Sequence, residues 1–476
     1  MSHPLDLDLS SRETLWRSVA SAIEAYLRDL PGLPVSPSAD PAVARALIEK
    51  VDFEKPLPPE DAVAIVLEGL RGHQVHNGHP RYFGLFNPAT AAMSVAADAL
   101  VAAFNPQLAA WTHAPFACEA EQLVIRTLGA KLGYPPGGVE GSFTSGGAEA
   151  NHTALVAALV NRFPSFSEEG ARSLAGTPVV YVSSESHHSF LKAARLTGLG
   201  TRAVREVPTN GEFVMDPEAL RAAVRQDRAE GRIPFFVAAT LGTTAAGLID
   251  PIPEIAAVGR DENLWVHADA AWGGAVALVP ELRGLLEGIE LADSITLDAH
   301  KWLSVPMAAG MFFTRHRALL EKTFSVAAGY MPRAGTGEPV VEPHRSSMQW
   351  TRRFIGLKLF LSLAVAGFGG YADTLRNMVR LGNGLRERLE AEGFRIVNKT
   401  PLPVVCFQDG RRDEGAFFPY LKAMADGVVA SGTAWVSMVA LGSRVPAIRA
   451  CITSFRTQDG DLEALVESLA EHRPPS

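Results

Sequence analysis

The chain has 476 residues, 47% hydrophobic and 20% charged, which excludes a disordered or fibrous protein and suits two or three packed units, the largest an α/β domain. A net charge of -8 gives no basic field for nucleic acid or an anionic membrane surface and leaves a small molecule as the default partner. Cys118, Cys406 and Cys451 are too few and too scattered for a disulfide framework, the acidic start MSHPLDLDLS has no signal-peptide pattern, and the apolar stretches fall short of a membrane span. A cytoplasmic protein is therefore expected.

Leu15, Trp16, Val19, Ile23, Tyr26, Leu27 and Leu30 lie on one helical face, with Ser10 and Glu13 predicting a capping box and Pro31-Gly32 a stop. Further helices are expected after Asp40-Pro41 and from about Pro58 to Leu70, so residues 1–78 form a helical segment with no β partner of its own. From about residue 140 the pattern changes. The runs PVVYVSS (178–184), PFFVAAT (234–240), NLWVHAD (263–269), DSITLD (293–298) and AGMFFT (309–314) read as buried strands of a mostly parallel sheet. They alternate with helices such as 148–163 and 217–230, the pattern of an α/β domain whose ligands gather beyond the strands' carboxyl ends. A helix over 354–366 and the glycine-rich GFGGY (367–371) lead into a smaller α+β unit that ends in a helix over 460–471.

Several polar residues stand at the expected strand ends. ADSITLDAHKWL (292–303) delivers Asp298, His300 and Lys301 into a turn. A lysine there is either a solvated loop residue or an amine available for a Schiff base with an aldehyde cofactor. VHADAAWGG (266–274) ends another strand on Asp269, followed by small residues that leave room for a flat ring. A buried carboxylate needs a cation, and the protonated ring nitrogen of pyridoxal phosphate is one; the alternative is an aspartate that caps its own turn. Ser145, Gly146, Gly147 and Ala148 precede a strong helix and offer backbone N–H groups to a phosphate, without the spacing of the dinucleotide or P-loop fingerprints. His187 at one strand-to-helix junction and Thr243, Thr244 and Asp250 after another strand either reach the same rim or satisfy their turns. His73, His76 and His79 have no acidic or cysteine partner nearby in sequence, so no metal site is expected.

The segments HPRYFGLFNP (79–88), FTSGGAEAN (143–151), SHHSFLKAA (186–194), ATLGTTAAGLIDPI (239–252), WVHADAAWGG (265–274) and ADSITLDAHKWL (292–303) occur in order. As a set they resemble the group II pyridoxal-phosphate-dependent amino-acid decarboxylases, which include the aromatic-amino-acid and glutamate enzymes. The resemblance implies a fold-type I architecture in a homodimer: an N-terminal helical segment (1–78) that wraps the partner, a large domain (79–366) with a mostly parallel seven-stranded sheet, and a small C-terminal α+β domain (367–476). It also implies that Lys301 carries the cofactor, Asp269 pairs with the ring nitrogen and His187 stacks on the ring. Gly147, Ala148 and His300 are implied on the phosphate side, with Thr244 and Asp250 supporting the cofactor from below. Tyr330, in a loop at 325–339, takes the place of a tyrosine that returns a proton to Cα; relatives with phenylalanine there tend to release an aldehyde. Arg352 resembles an arginine near the substrate.

The implied reaction converts an L-amino acid to its amine and carbon dioxide. Tyr82, Phe83, Phe86 and Trp111 either line an aromatic substrate pocket or pack in the core. The stretch around Trp111 departs from both the glutamate-type and the aromatic-type patterns. An aminotransferase, a cysteine-desulfurase-like lyase and a catalytically silent binding homologue are the alternative readings.

Overall fold

A strand buried on both faces reads as a mostly apolar run, and the five runs of this kind all lie inside one sheet. The structure, a computed structural model, describes residues 5–37, 40–326, 337, 339–411 and 417–474. Seven strands, β1 (Glu140–Thr144), β2 (Pro178–Ser183), β3 (Val204–Val207), β4 (Ile233–Thr240), β5 (Trp265–Asp269), β6 (Ser294–Asp298) and β7 (Gly310–Thr314), pair in the order β1-β7-β6-β5-β4-β2-β3. β7 runs antiparallel to β1 and β6, and the other pairs are parallel. The register sets Asp269 level with Thr240 on one side and Thr296 on the other. The ends of β4 and β5 therefore open at one height, with β6 running two residues further to Asp298, into the crevice where open α/β sheets bind ligands.

Before the sheet come α1 (Leu9–Asp29), α2 (Pro41–Ile48), α3 (Pro59–Gly72), α4 (Ala92–Phe104) and α5 (Pro115–Lys131). The first helix starts one residue before the expected Ser10, because Asp8 caps it: its carboxylate accepts the Ser11 N–H at 2.9 Å and the Ser11 hydroxyl at 2.9 Å. An ionised cap faces the positive end of the helix more favourably than a hydroxyl does. No residue of α1 or α3 is buried.

The sheet is layered by α6 (Gly147–Arg162), α7 (Phe166–Glu169), α8 (Ser189–Leu196), α9 (Pro217–Ala229) and α10 (Ile252–Asp261), with α11 (Leu319–Phe324) and α12 (Pro343–Ser346) after β7. The helix expected to stop at 366 instead continues as α13 (Leu357–Ala391), broken only at Gly367, whose φ of 63° and ψ of 176° are not helical. Beyond it β8 (Phe394–Ile396), β9 (Val404–Asp409), β10 (Ser437–Leu441) and β11 (Val445–Cys451) form an antiparallel sheet in the order β10-β11-β9-β8, with α14 (Phe417–Ala430) and α15 (Asp459–Glu471). No helix among the described residues is long and apolar enough to cross a membrane.

Candidate active site

Strand ends β4, β5 and β6, the start of α6 and the start of α8 converge on one crevice. Lys301 follows β6 by three residues, and its Nζ lies 3.1 Å from Asp298 Oδ2. Asp298 is buried, and its second oxygen has no hydrogen-bond partner among the described residues. His300 is buried beside it, with Nε2 3.8 Å from Asp298 Oδ2 and Nδ1 accepting the Ala309 N–H at 3.2 Å. Burial lowers the His300 pKa more than Asp298 raises it, so its ring is neutral near neutral pH.

Asp269 ends β5 and is 5% exposed. Oδ1 accepts the Ala271 N–H at 3.2 Å and Oδ2 the Asn151 side-chain N–H at 2.7 Å. No ion pair to Asp269 occurs among the described residues. A buried carboxylate held only by neutral donors fits a site completed by a cationic ligand atom. Opposite it, the N–H groups of Gly147 and Ala148 find no acceptor among the described residues at the start of the 16-residue α6, a terminus suited to an anion. A Cβ on Gly147 would stand 2.8 Å from Asp298 Oδ2, and one on Gly310 would stand 2.6 Å from the Gly146 backbone, so both positions need glycine for this close approach. The Ser145 N–H and hydroxyl are already bound by Glu149, at 2.8 and 2.6 Å.

His187 stands open at the mouth of the crevice, with Nδ1 accepting the Ser189 N–H at 3.2 Å. The surrounding protein still removes enough water to lower its pKa, opposed by Asp269 and aided by Lys301. These charges act on one ring because Lys301, Asp269 and His187 share one site.

Other expected residues sit elsewhere or act differently. Asp250 is fully buried, and its two oxygens accept the Met215 and Thr240 N–H groups, each at 2.7 Å. It therefore staples the end of β4 and does not itself reach the rim. Thr244 is exposed, and its carbonyl accepts from Arg449. Phe83 packs in the main core, and Tyr82 lies against Trp435 with ring centroids 5.4 Å apart. Arg352 is buried in an ion pair with Glu121, which also accepts the Gly356 N–H at 2.9 Å. Trp111, whose indole donates to Glu119 at 2.9 Å, packs against an apolar cluster that includes Leu108, Ala117 and Phe354, and no hydrogen bond or ion pair among the described residues joins Trp111 or Arg352 to Lys301 or Asp269. Tyr330 lies outside the described residues. His76 and His79 are buried in separate bonds, to the Tyr26 hydroxyl at 3.0 Å and from the Arg81 N–H at 2.9 Å.

Asn151, His267, Ser294 and Thr296, which the sequence reading assigned no role, form a buried layer under Asp269. His267 Nε2 is 3.1 Å from Asn151 Oδ1, and Thr296 donates to the same oxygen at 2.8 Å. The spacing of Trp265, His267 and Asp269 on β5, and of Ser294 and Thr296 on β6, was the available signal: period two sets each group on one face.

A strand-end lysine, a buried carboxylate without a cationic partner among the described residues and a helix start open to an anion are groups that suit a pyridoxal-phosphate enzyme. Residues 54–409 match the family described as "Pyridoxal-dependent decarboxylase conserved domain". The chain belongs to that family and is a pyridoxal-phosphate-dependent amino-acid decarboxylase. It is 32% identical over 419 residues to a tyrosine decarboxylase of Oryza sativa subsp. japonica, covering 84% of this chain and 77% of that one. It is 27% identical to a 4-hydroxyphenylacetaldehyde synthase of Rhodiola rosea, covering 98% and 96%. The crystal structure of mouse CSAD superposes with a TM-score of 0.91 at 26% identity, covering 99% of this chain and 100% of that one.

Proposed function

We propose that this decarboxylase acts on an L-amino acid with an aromatic side chain, and that Lys301, Asp269 and His187 carry its chemistry. The observation that carries the residue roles is the buried Asp269 carboxylate with no ion-pair partner among the described residues, set in one crevice with Lys301. The aromatic substrate is supported by the rice relative and by a cavity of about 220 Å³ beside His300, apolar along Leu27, Leu30, Pro88, Ala89, Val305 and Met307, with Asn87, Thr90 and Arg456 as polar groups. Such a volume takes a single ring.

When bound, pyridoxal phosphate supplies the electron sink for the charge left on Cα as carbon dioxide departs. Asp298 Oδ2, 3.1 Å from Lys301 Nζ, positions the amine in the crevice. Gly147 and Ala148 offer N–H groups and His300 an imidazole to the phosphate. Asp269 holds a proton on the ring nitrogen, and the neutral His187 ring covers the open side. Thr244 and Asp250 support the crevice through the backbone of β4 and its following loop. Tyr330 returns the proton to Cα, the role implied for it by resemblance. The division at 78 and 366, a homodimeric assembly and a cytoplasmic location belong to the same proposal.

The test is to load the protein with pyridoxal phosphate, follow its visible absorbance and assay carbon dioxide release from aromatic amino acids and from glutamate. Lys301→Ala is expected to remove the absorbance of the lysine-linked cofactor and nearly all turnover, and Tyr330→Phe to shift product from amine toward aldehyde. Retention of absorbance and turnover in Lys301→Ala sinks the lysine assignment, and a preference for glutamate sinks the aromatic one.

A further inference from the structure

Five buried side chains beneath the crevice are joined end to end. Trp265 Nε1 donates to Ser294 Oγ at 2.9 Å. Ser294 Oγ lies 2.8 Å from His267 Nδ1, and His267 Nε2 lies 3.1 Å from Asn151 Oδ1. Asn151 Nδ2 donates to Asp269 Oδ2 at 2.7 Å and to Ser189 Oγ at 2.9 Å. All of these residues are buried, and His267 is walled by Phe236, stacked at 5.9 Å, and Phe190, edge-on at 6.0 Å.

The chemistry of the two ends fixes every proton between them. An indole N–H only donates and an ionised carboxylate only accepts. With both N–H bonds of Asn151 used on Asp269 and Ser189, its oxygen faces Thr296 and His267, so His267 Nε2 carries a hydrogen. His267 Nδ1 is then an acceptor for the Ser294 hydroxyl, whose oxygen takes the indole N–H. The other tautomer would set a lone pair of Nε2 against the Asn151 oxygen, and the Thr296 hydroxyl, 3.3 Å from Nε2, is already given to that oxygen at 2.8 Å.

We propose that Trp265, Ser294, His267 and Asn151 form a one-way hydrogen-bond chain that keeps the Asp269 carboxylate aimed at the cofactor's ring nitrogen, with Asn151 and His267 as positioning residues for decarboxylation. It rests on the reading of Asp269 given above. The directionality matters because a neutral donor leaves the carboxylate its full negative charge for the ring nitrogen, whereas a cation in its place would compete for it. Burial among the phenylalanine rings, which pushes the His267 pKa down to about 4, keeps the donor neutral.

The first test needs no cofactor. Nitrogen-15 spectra of the histidines in cofactor-free protein at neutral pH, with His267 assigned by loss of its signals in His267→Gln, should show a protonated Nε2 and a bare Nδ1; an Nδ1–H or doubly protonated ring overturns the chain. In the loaded enzyme, Asn151→Ala should weaken pyridoxal phosphate binding and lower kcat by about tenfold or more, the scale seen when outer partners of metal-ligating side chains are lost, with KM little changed. His267→Phe should likewise weaken pyridoxal phosphate binding and lower kcat, and His267→Gln, which keeps an N–H toward Asn151, should restore both. Asn151→Ala indistinguishable from wild type, beside an inactive Asp269→Ala, overturns the chain alone. Asp269→Ala with wild-type cofactor affinity and turnover overturns the assignment of Asp269, and the histidine spectrum still decides the chain.

Discussion

Asp250 and Arg352 show how an ionisable residue placed near chemistry by sequence becomes a structural one in three dimensions. Burial raises the Asp250 pKa from 3.8 to about 6, outweighing the two backbone N–H bonds that lower it. Between those values the folded chain holds a proton that the unfolded chain has released. The stabilising contribution is therefore full below about 3.8 and is lost as pH rises through about 6. Relative to Asp250→Asn, the wild type should gain about 1 kcal/mol on going from about pH 7 to about pH 5, as measured by denaturant titration. A gap between the two proteins that is flat with pH contradicts this. For Arg352, burial lowers the pKa to about 10, still a cation at neutral pH, and Glu121 is its counter-ion. Glu121→Gln should cost about 3–5 kcal/mol of stability by stranding a buried charge, while Glu121→Leu combined with Arg352→Met should cost less than either change alone. A raised KM at unchanged stability in Arg352→Met would instead return this residue to the substrate.

At the scale of elements, Gly367 separates two helical halves within α13 and does so by backbone conformation alone. A Cβ there would meet nothing within 4 Å, yet its φ of 63° with ψ of 176° belongs to a region that is almost exclusively glycine's. Gly367→Ala should cost about 1–3 kcal/mol, whereas Gly369→Ala, also without neighbours within 4 Å but helical, should be neutral or stabilising by up to about 1 kcal/mol. Equal effects at both positions in chemical denaturation would show that the Gly367 backbone conformation carries no special cost. The same contrast governs what the sequence made legible. β2 and β4 to β7 were readable because burial on both faces leaves apolar runs, while β3, with Arg205 and Glu206 at the sheet's edge, and β1, begun by Glu140-Gly141, lack that pattern. Lys301, Asp269 and His187 were readable because a polar residue at the end of an apolar strand has few reasons to be there. Asn151, His267 and Ser294 stand on separate elements, and only the register of β5 against β6 and the packing of α6 bring them together. For Trp111 and Arg352 the sequence carries no sign of the carboxylates they meet, Glu119 and Glu121, because no local pattern announces such partners.

For the whole molecule, the unburied faces argue for a second copy of the chain. Leu9, Trp16 and Ile23 repeat every seven residues along α1 and are exposed, as are Val66 and Leu70 on α3. A groove of about 510 Å³ between α4, α5 and the start of α13 is lined wholly by apolar residues, with Phe104 and Phe116 at its rim 81% and 68% exposed. Apolar surface on this scale is costly to leave in water, and helices with no buried residue gain little from their own subunit. A twofold dimer resolves both, because each copy offers the other a helical face and a groove. Light scattering should therefore give twice the chain mass of 50.9 kDa. Phe104→Glu with Phe116→Glu should shift the mass toward the monomer, and deletion of residues 1–30 should lower thermal stability in a concentration-dependent way. A monomeric wild type across the working concentration range, with α1 dispensable for stability, would leave these faces to some other partner.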